Sequence, residues 1–166
     1  SSGKDVILSL CARFARGEVL NCAIEFVGDG VDSLSIDSRM TIANMSTEWG
    51  ALAAVFPFDS QLAAWLEGRS AHRSAADGPA ATDVWRGGVS DKGAQYVREL
   101  RFDLSGVSPG VTGPNSVSIT ESAREVERRK IVVDKAYLMS CVNARQSDLE
   151  VAARVFGPHR RVAPGV

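Results

Sequence analysis

The chain has 166 residues and a formal net charge of −1; 45% of its residues are hydrophobic and 23% charged. This is ordinary globular composition, long enough to bury a core as one large domain or two small ones. It excludes a basic field for nucleic acid or an anionic membrane, and no apolar run approaches the roughly 20 residues that span a bilayer.

The start, SSGKDVILSL, lacks the layout of a signal peptide and runs straight into a helical pattern. From Lys4 to Phe14, the residues Val6, Ile7, Leu10, Cys11 and Phe14 form one apolar stripe. Gly17 suits a helix stop. Cys22 to Val27 reads as a short strand, broken by Gly28 and Gly30. A second helix is predicted from Asp37 to Ala51, opened by Asp37 or Ser38 as N-cap, with Gly50 near its end. Leu52 to Phe56 is a buried strand stopped by Pro57. Ser60 to Leu66 is a short helix with Leu62, Trp65 and Leu66 inward. Gly68 to Lys92, rich in Ala, Gly, Ser and Asp, is expected to be a mobile loop or an insertion.

Glu99 to Leu104 alternates as a strand. Gly106 to Gly113, with Pro109 and Gly110, and the following Gly113-Pro114 form a loop that changes direction. Val117 to Ile119 is a short strand, Glu121 to Lys130 a charged solvated stretch, and Lys135 to Met139 a strand. Ser147 with Glu150 three residues later has capping-box spacing. Leu149, Ala152, Ala153 and Phe156 give that helix a buried face, and Gly157-Pro158 ends it. Strands alternating with helices define an α/β class with parallel pairing.

Three cysteines, Cys11, Cys22 and Cys141, lie far apart. An odd, scattered set points to a reducing compartment or a metal role rather than a disulfide framework. Cys11 sits on the first apolar stripe and Cys22 opens a strand, so both read as core. Cys141 falls between a strand and a helix start, where the partial positive charge of a helix N-terminus favours a thiolate. Asn143 and Arg145 add donors nearby. The plainer alternative is a small buried hydrophobe at a strand end. Asn44 and Glu48 are four apart, one face of a helix, and such a pair orients a water or holds a carboxylate or hydroxyl. The alternative is an ordinary solvated pair. Neither His72 nor His159 has a spaced metal partner, and GDG at residues 28–30 lacks the Lys and Ser/Thr of a phosphate loop.

The blocks GKDVILSL, AIEFVGDGVDSLSIDSRMTIANMSTEWGALAAVFPFD, SGVSPGVTGPNSVSI, KAYLMSCVNARQSDLEVAARVF and VAPGV occur in this order. In content and order they resemble the aconitase superfamily, and NMSTEWGAL with GPNSV is most similar to its fungal homoaconitase branch. The resemblance implies an iron–sulfur hydro-lyase holding a four-iron four-sulfur (4Fe-4S) cluster. It would interconvert homocitrate- and homoisocitrate-type acids through the unsaturated intermediate, in lysine biosynthesis. One cluster iron without a cysteine acts as a Lewis acid on a small tricarboxylic-acid substrate. By the same resemblance Cys141 is the first cluster cysteine and a metal ligand, with Asn143 beside it at the cofactor. Asn44 and Glu48 are the active-site Asn and Glu.

The family's Ser-Cys-Thr-Asn run appears here as Ser140-Cys141-Val142-Asn143, which removes a hydroxyl near the cluster. The remaining two cysteine ligands are expected outside this chain, as is the swivelling domain. Residues 1–103 are expected to be an aconitase-like inner α/β domain and 104–166 the beginning of a cluster-bearing one. The chain is then a fragment that needs the rest of its parent enzyme, and alone it is expected to bind no stable cluster and to be inactive. A soluble, mitochondrial-matrix location follows from the resemblance. Alternatives are an aconitase or 3-isopropylmalate dehydratase fragment, or a non-catalytic binding domain derived from the family.

Overall fold

Residues 2–70, 90–157 and 161 are described by a computed structural model. His72, His159, the closing VAPGV and most of the loop expected from Gly68 to Lys92 lie outside the described residues.

The first helix, α1 (Gly3–Arg13), is opened by Ser2. The Asp5 N–H donates to Ser2 Oγ at 3.3 Å, and the Ser2 N–H donates to the Asp5 carboxylate at 2.8 Å. This reciprocal box satisfies amides left over at a helix start. Val6, Ile7, Leu10 and Cys11 are buried as their spacing predicts. Strand β1 (Ala23–Glu25) is followed by a single helical turn, α2 (Asp29–Asp32).

Helix α3 (Ile36–Met45) joins the same core through Ile42 and Met45. Complete burial of Ile7 or Ile42 contributes about 2 kcal/mol each. The two helices meet closely at Gly3, where a Cβ would stand 2.7 Å from the Ser38 backbone. The cap of α3 is Ser35, not Asp37 or Ser38, because Ser35 Oγ accepts from the Ser38 N–H at 3.2 Å. The helix also stops at Met45, short of the expected Ala51. Ser46 Oγ donates to the Ala43 carbonyl at 2.7 Å and Thr47 Oγ1 lies 3.2 Å from the Asn44 carbonyl. The Ser46 hydroxyl thus takes a carbonyl that further helix would need. Turns follow to Gly50, whose φ is +104°. Within them Trp49 Nε1 donates to the Phe14 carbonyl at 2.9 Å, tying the turns to the end of α1.

Strand β2 (Ala53–Val55) pairs parallel with β1, Ala23 opposite Ala53. Just past both strands, Phe26 and Phe56 stack at 4.7 Å. Helix α4 (Ser60–Ser70) continues beyond Leu66 and takes the first residues of the expected loop.

The second part of the chain departs further from its local patterns. Leu100, Phe102 and Leu104 do turn inward while Glu99, Arg101 and Asp103 are exposed. The run forms no strand, because among the described residues no strand pairs with it. Phe102 instead packs edge-on to Phe14 at 6.4 Å, and a 3-10 turn occupies Leu104–Gly106. The expected loop contains β3 (Gly110–Thr112), antiparallel to β4 (Thr120–Ser122). Val117 and Ser118 are the turn between them, so the strand predicted at Val117 to Ile119 lies later. The charged stretch after it forms a short helix, α5 (Ala123–Arg128), boxed by Ser122 and Glu125. Lys135 to Met139 is not a strand; it is exposed, Tyr137 by 74%.

The last helix, α6 (Gln146–Phe156), is capped by Arg145, two residues before the Ser147 its pattern suggests. The Asp148 carboxylate accepts from the Arg145 N–H at 3.0 Å, which replaces the Ser147–Glu150 box. Its apolar face is not buried: Leu149 and Phe156 are about half exposed, because no described element packs over them. The class is α/β as expected, with one parallel strand pair and one antiparallel hairpin among the described residues rather than parallel pairing alone. No helix among the described residues is long and apolar enough to cross a membrane.

Candidate functional site

Helix α3 and the turn before α6 meet through polar side chains. Asn44, on the last turn of α3, donates from Nδ2 to Cys141 Sγ at 3.1 Å, across 97 residues of chain. Cys141 is exposed, so the reading of it as a small buried hydrophobe fails. Its turn is tight. Ser140 has φ +91°, and its carbonyl accepts from Asn143 and Ala144 N–H at 3.3 and 3.1 Å.

One helical turn before Asn44, Thr41 makes the next contact. Arg145 NH1 donates to Thr41 Oγ1 at 2.5 Å, and that hydroxyl lies 3.3 Å from the Val142 carbonyl. A further turn back, the Asp37 carboxylate accepts from Ser147 Oγ at 2.6 Å. Asn143 faces α1: with its amide turned so that both groups pair, Oδ1 accepts from Lys4 Nζ at 3.3 Å and Nδ2 donates to the Val142 carbonyl at 3.1 Å. A cleft of about 230 Å³ opens here, lined by Lys4, Asp37, Thr41, Asn143, Ser147 and Asp148 among others. A larger cleft of about 470 Å³, between α1 and the β3–β4 hairpin, is lined by none of Asn44, Glu48, Cys141 and Asn143.

Glu48 is not on the helical face of Asn44, because α3 ends before it. It stands exposed in the turns that follow, its Oε2 accepting from Thr47 Oγ1 at 2.8 Å. Its charge is felt on the other side of the turn by Cys11. Burial pushes the Cys11 thiol up to about 11, and Glu48 adds to the rise. Cys11 is fully buried in the core, as expected. Cys22 is only half-buried, its Sγ 3.5 Å from the Leu20 carbonyl, so it is not a core residue.

The structure therefore joins Asn44 to Cys141 directly and brings Asn143 alongside, whereas Glu48 has no hydrogen bond to them among the described residues. Sequence reading missed Thr41 and treated Asp37 only as a cap. Their spacing carried the signal: residues 37, 41 and 44 share one face of a helix.

The model of the aconitase family (aconitate hydratase) matches residues 1–130. The mitochondrial homoaconitase of Emericella nidulans is 48% identical over 172 residues, covering 93% of this chain and 22% of that protein. That of Aspergillus niger is 49% identical over 172 residues, with the same shares. That of Yarrowia lipolytica is 48% identical over 169 residues, 99% of this chain and 24% of that protein. The chain thus spans 22% to 24% of the length of these relatives.

Proposed function

This chain belongs to the aconitase family, and from that premise we propose that it is part of a homoaconitase-like hydro-lyase, mitochondrial as its relatives are named. Its reaction would remove and re-add water on a homocitrate-type tricarboxylic acid, within lysine biosynthesis. The observation that carries the reading is the Asn44–Cys141 hydrogen bond, which brings the NMSTEW block and the SCVN block together.

Members of this family generally bind a four-iron four-sulfur cluster. The donor set here fits one corner of such a group. Cys141 offers an exposed soft sulfur that already accepts a hydrogen bond, as cluster thiolates do. Among the described residues no three His, Cys, Asp or Glu side chains converge. Further thiolates would therefore come from elsewhere in the parent protein. When bound, the cluster supplies a Lewis-acidic iron that polarises a substrate oxygen.

The chain's own residues then have separate tasks. Cys141 is the thiolate ligand, and Asn44 fixes the direction of its sulfur. Asn143, oriented by Lys4, would offer its amide to the bound group. Glu48 carries the proton, its carboxylate oriented by Thr47. Residues 1–103 and 104–166 belong, on the same proposal, to two successive α/β domains of the enzyme.

A second reading is an aconitase acting on the shorter citrate-type acid, favoured by the description of the matching family. One experiment tests both. The intact protein, purified without oxygen, is expected to show iron–sulfur absorbance and to hydrate the longer unsaturated acid faster than the shorter. The opposite preference selects the second reading. Cys141→Ala is expected to abolish the absorbance, and full retention of it would sink the ligand role.

A further inference from the structure

We propose that Thr41, held by Arg145, is a positioning residue that fixes Cys141 against α3. The inference rests on the reading of Cys141 as a cluster ligand for its purpose, and on geometry alone for its substance.

The stretch leading to Cys141 gives it no anchorage. Residues 131–140 form no strand, and Val132 is 86% exposed. The backbone bonds of the turn at 140–144 close on itself through the Ser140 carbonyl, which shapes it without attaching it, while the Val142 side chain packs against the core. The polar contacts of Cys141 itself, of the Val142 carbonyl and of Arg145 go to α3. Asp37, Thr41 and Asn44 lie on one face of that helix, at spacings of four and three. They meet Ser147, then Arg145 and Val142, then Cys141, in reverse chain order. The result is an antiparallel polar seam with Thr41 at its centre.

The three contacts are not equal. The Asn44–Cys141 bond is exposed at both ends and uses a sulfur acceptor, which is weak. Asp37–Ser147 lies beyond Arg145, on α6 itself. Thr41 is only 5% exposed, so water does not replace its partners when they leave. Its hydroxyl lies 3.0 Å from the Asp37 carbonyl within α3, accepts from Arg145, four residues after Cys141, and lies 3.3 Å from the carbonyl of Val142, the residue next to it. It thus brackets the thiol from one side and sets its height along α3.

The test uses the intact, metal-free protein carrying Asn44→Cys. A short homobifunctional thiol reagent should bridge position 44 to Cys141, and peptide mass spectrometry identifies the bridge. Adding Thr41→Val should slow bridging about fivefold, the effect of one lost net hydrogen bond. Thr41→Ser, which keeps the hydroxyl, should bridge at the parent rate. If the Thr41→Val protein does not fold, Arg145→Met removes the same bond and is judged by the same rate. Bridging at the parent rate in a folded Thr41→Val or Arg145→Met protein would overturn the proposal. Because no cluster is present, this result is independent of the Cys141→Ala absorbance that tests the ligand role.

Discussion

Arg39 reaches out of α3 to Asp59 at 2.6 Å while its own side chain is 4% exposed. Its Nε and NH2 also donate to the Leu34 and Val31 carbonyls at 3.1 Å each. NH1 is buried with no hydrogen bond. One guanidinium therefore joins the end of α2, the start of α3 and the approach to α4. A buried charge of this kind is costly when its partner is removed.

Asp59→Asn is accordingly expected to lower stability by about 2 kcal/mol at neutral pH. The hydrogen bond from Arg39 holds the Asp59 carboxyl below the usual aspartate range, against an opposing effect of burial. A lowered folded-state pKa means the contribution is present above that range and lost as pH falls through the lowered value. The gap between wild type and variant in urea denaturation should therefore close in acid. A gap that stays constant to low pH would show that the carboxylate charge is irrelevant.

Cys11 predicts the opposite limb. Its thiol is pushed from 9.0 to about 11, first by burial and then by Glu48. A raised folded-state pKa gives stability that is complete below pH 9 and is lost as pH rises toward 11. Wild type should lose stability over this window relative to Cys11→Ala. Alkylation of Cys11 at neutral pH should require unfolding.

Glu48→Gln should separate chemistry from folding. If Glu48 carries the proton, turnover of the intact enzyme is expected to fall by about a hundredfold or more. Stability should barely change, since the side chain is exposed. The substitution should also bring the Cys11 thiol down. Equal losses of turnover and stability would assign Glu48 a structural role instead.

Glycines 3 and 30 form a contrasting pair. A Cβ at Gly3 would stand 2.7 Å from backbone atoms of Ser38, so Gly3→Ala must part α1 from α3 and should cost about 2 kcal/mol. A Cβ at Gly30 would stand 2.9 Å from the end of the Leu104 side chain, which can turn away. Gly30→Ala should cost well under half as much in the same denaturation series.

Ser140 holds φ +91°, where side chains are strained. Ser140→Gly should keep or raise the melting temperature, and Ser140→Val should cost about 2 kcal/mol. A clear loss in Ser140→Gly relative to wild type would place the value of Ser140 in its hydroxyl, which accepts from the Val142 N–H at 3.4 Å.

What was legible in the chain was what is local. The stripe from Val6 to Cys11 found its helix because periodicity within one helix needs no partner. The start of α3 was misplaced because Ser35, Asp37 and Ser38 are all competent caps, and only geometry chooses among them. Glu99 to Leu104 has true strand alternation, yet a strand also needs a neighbour that alternation cannot supply. The site divides the same way. Cys141 and Asn44 stood out by residue type and family pattern. Thr41 did not, because its importance arises only when Arg145, 104 residues later, comes to lie over it.

That separation also sets an order of events during synthesis. The buried residues that α1 and α3 share are all made once residue 45 is, but the thiol that Asn44 binds lies 97 residues beyond Asn44. At roughly 10 residues per second, α3 waits about 10 seconds on the ribosome before Cys141 exists. Closing so long a loop adds entropy that early contacts do not face. The buried residues shared by α1 and α3 therefore precede, in synthesis, the contact that joins Asn44 to Cys141.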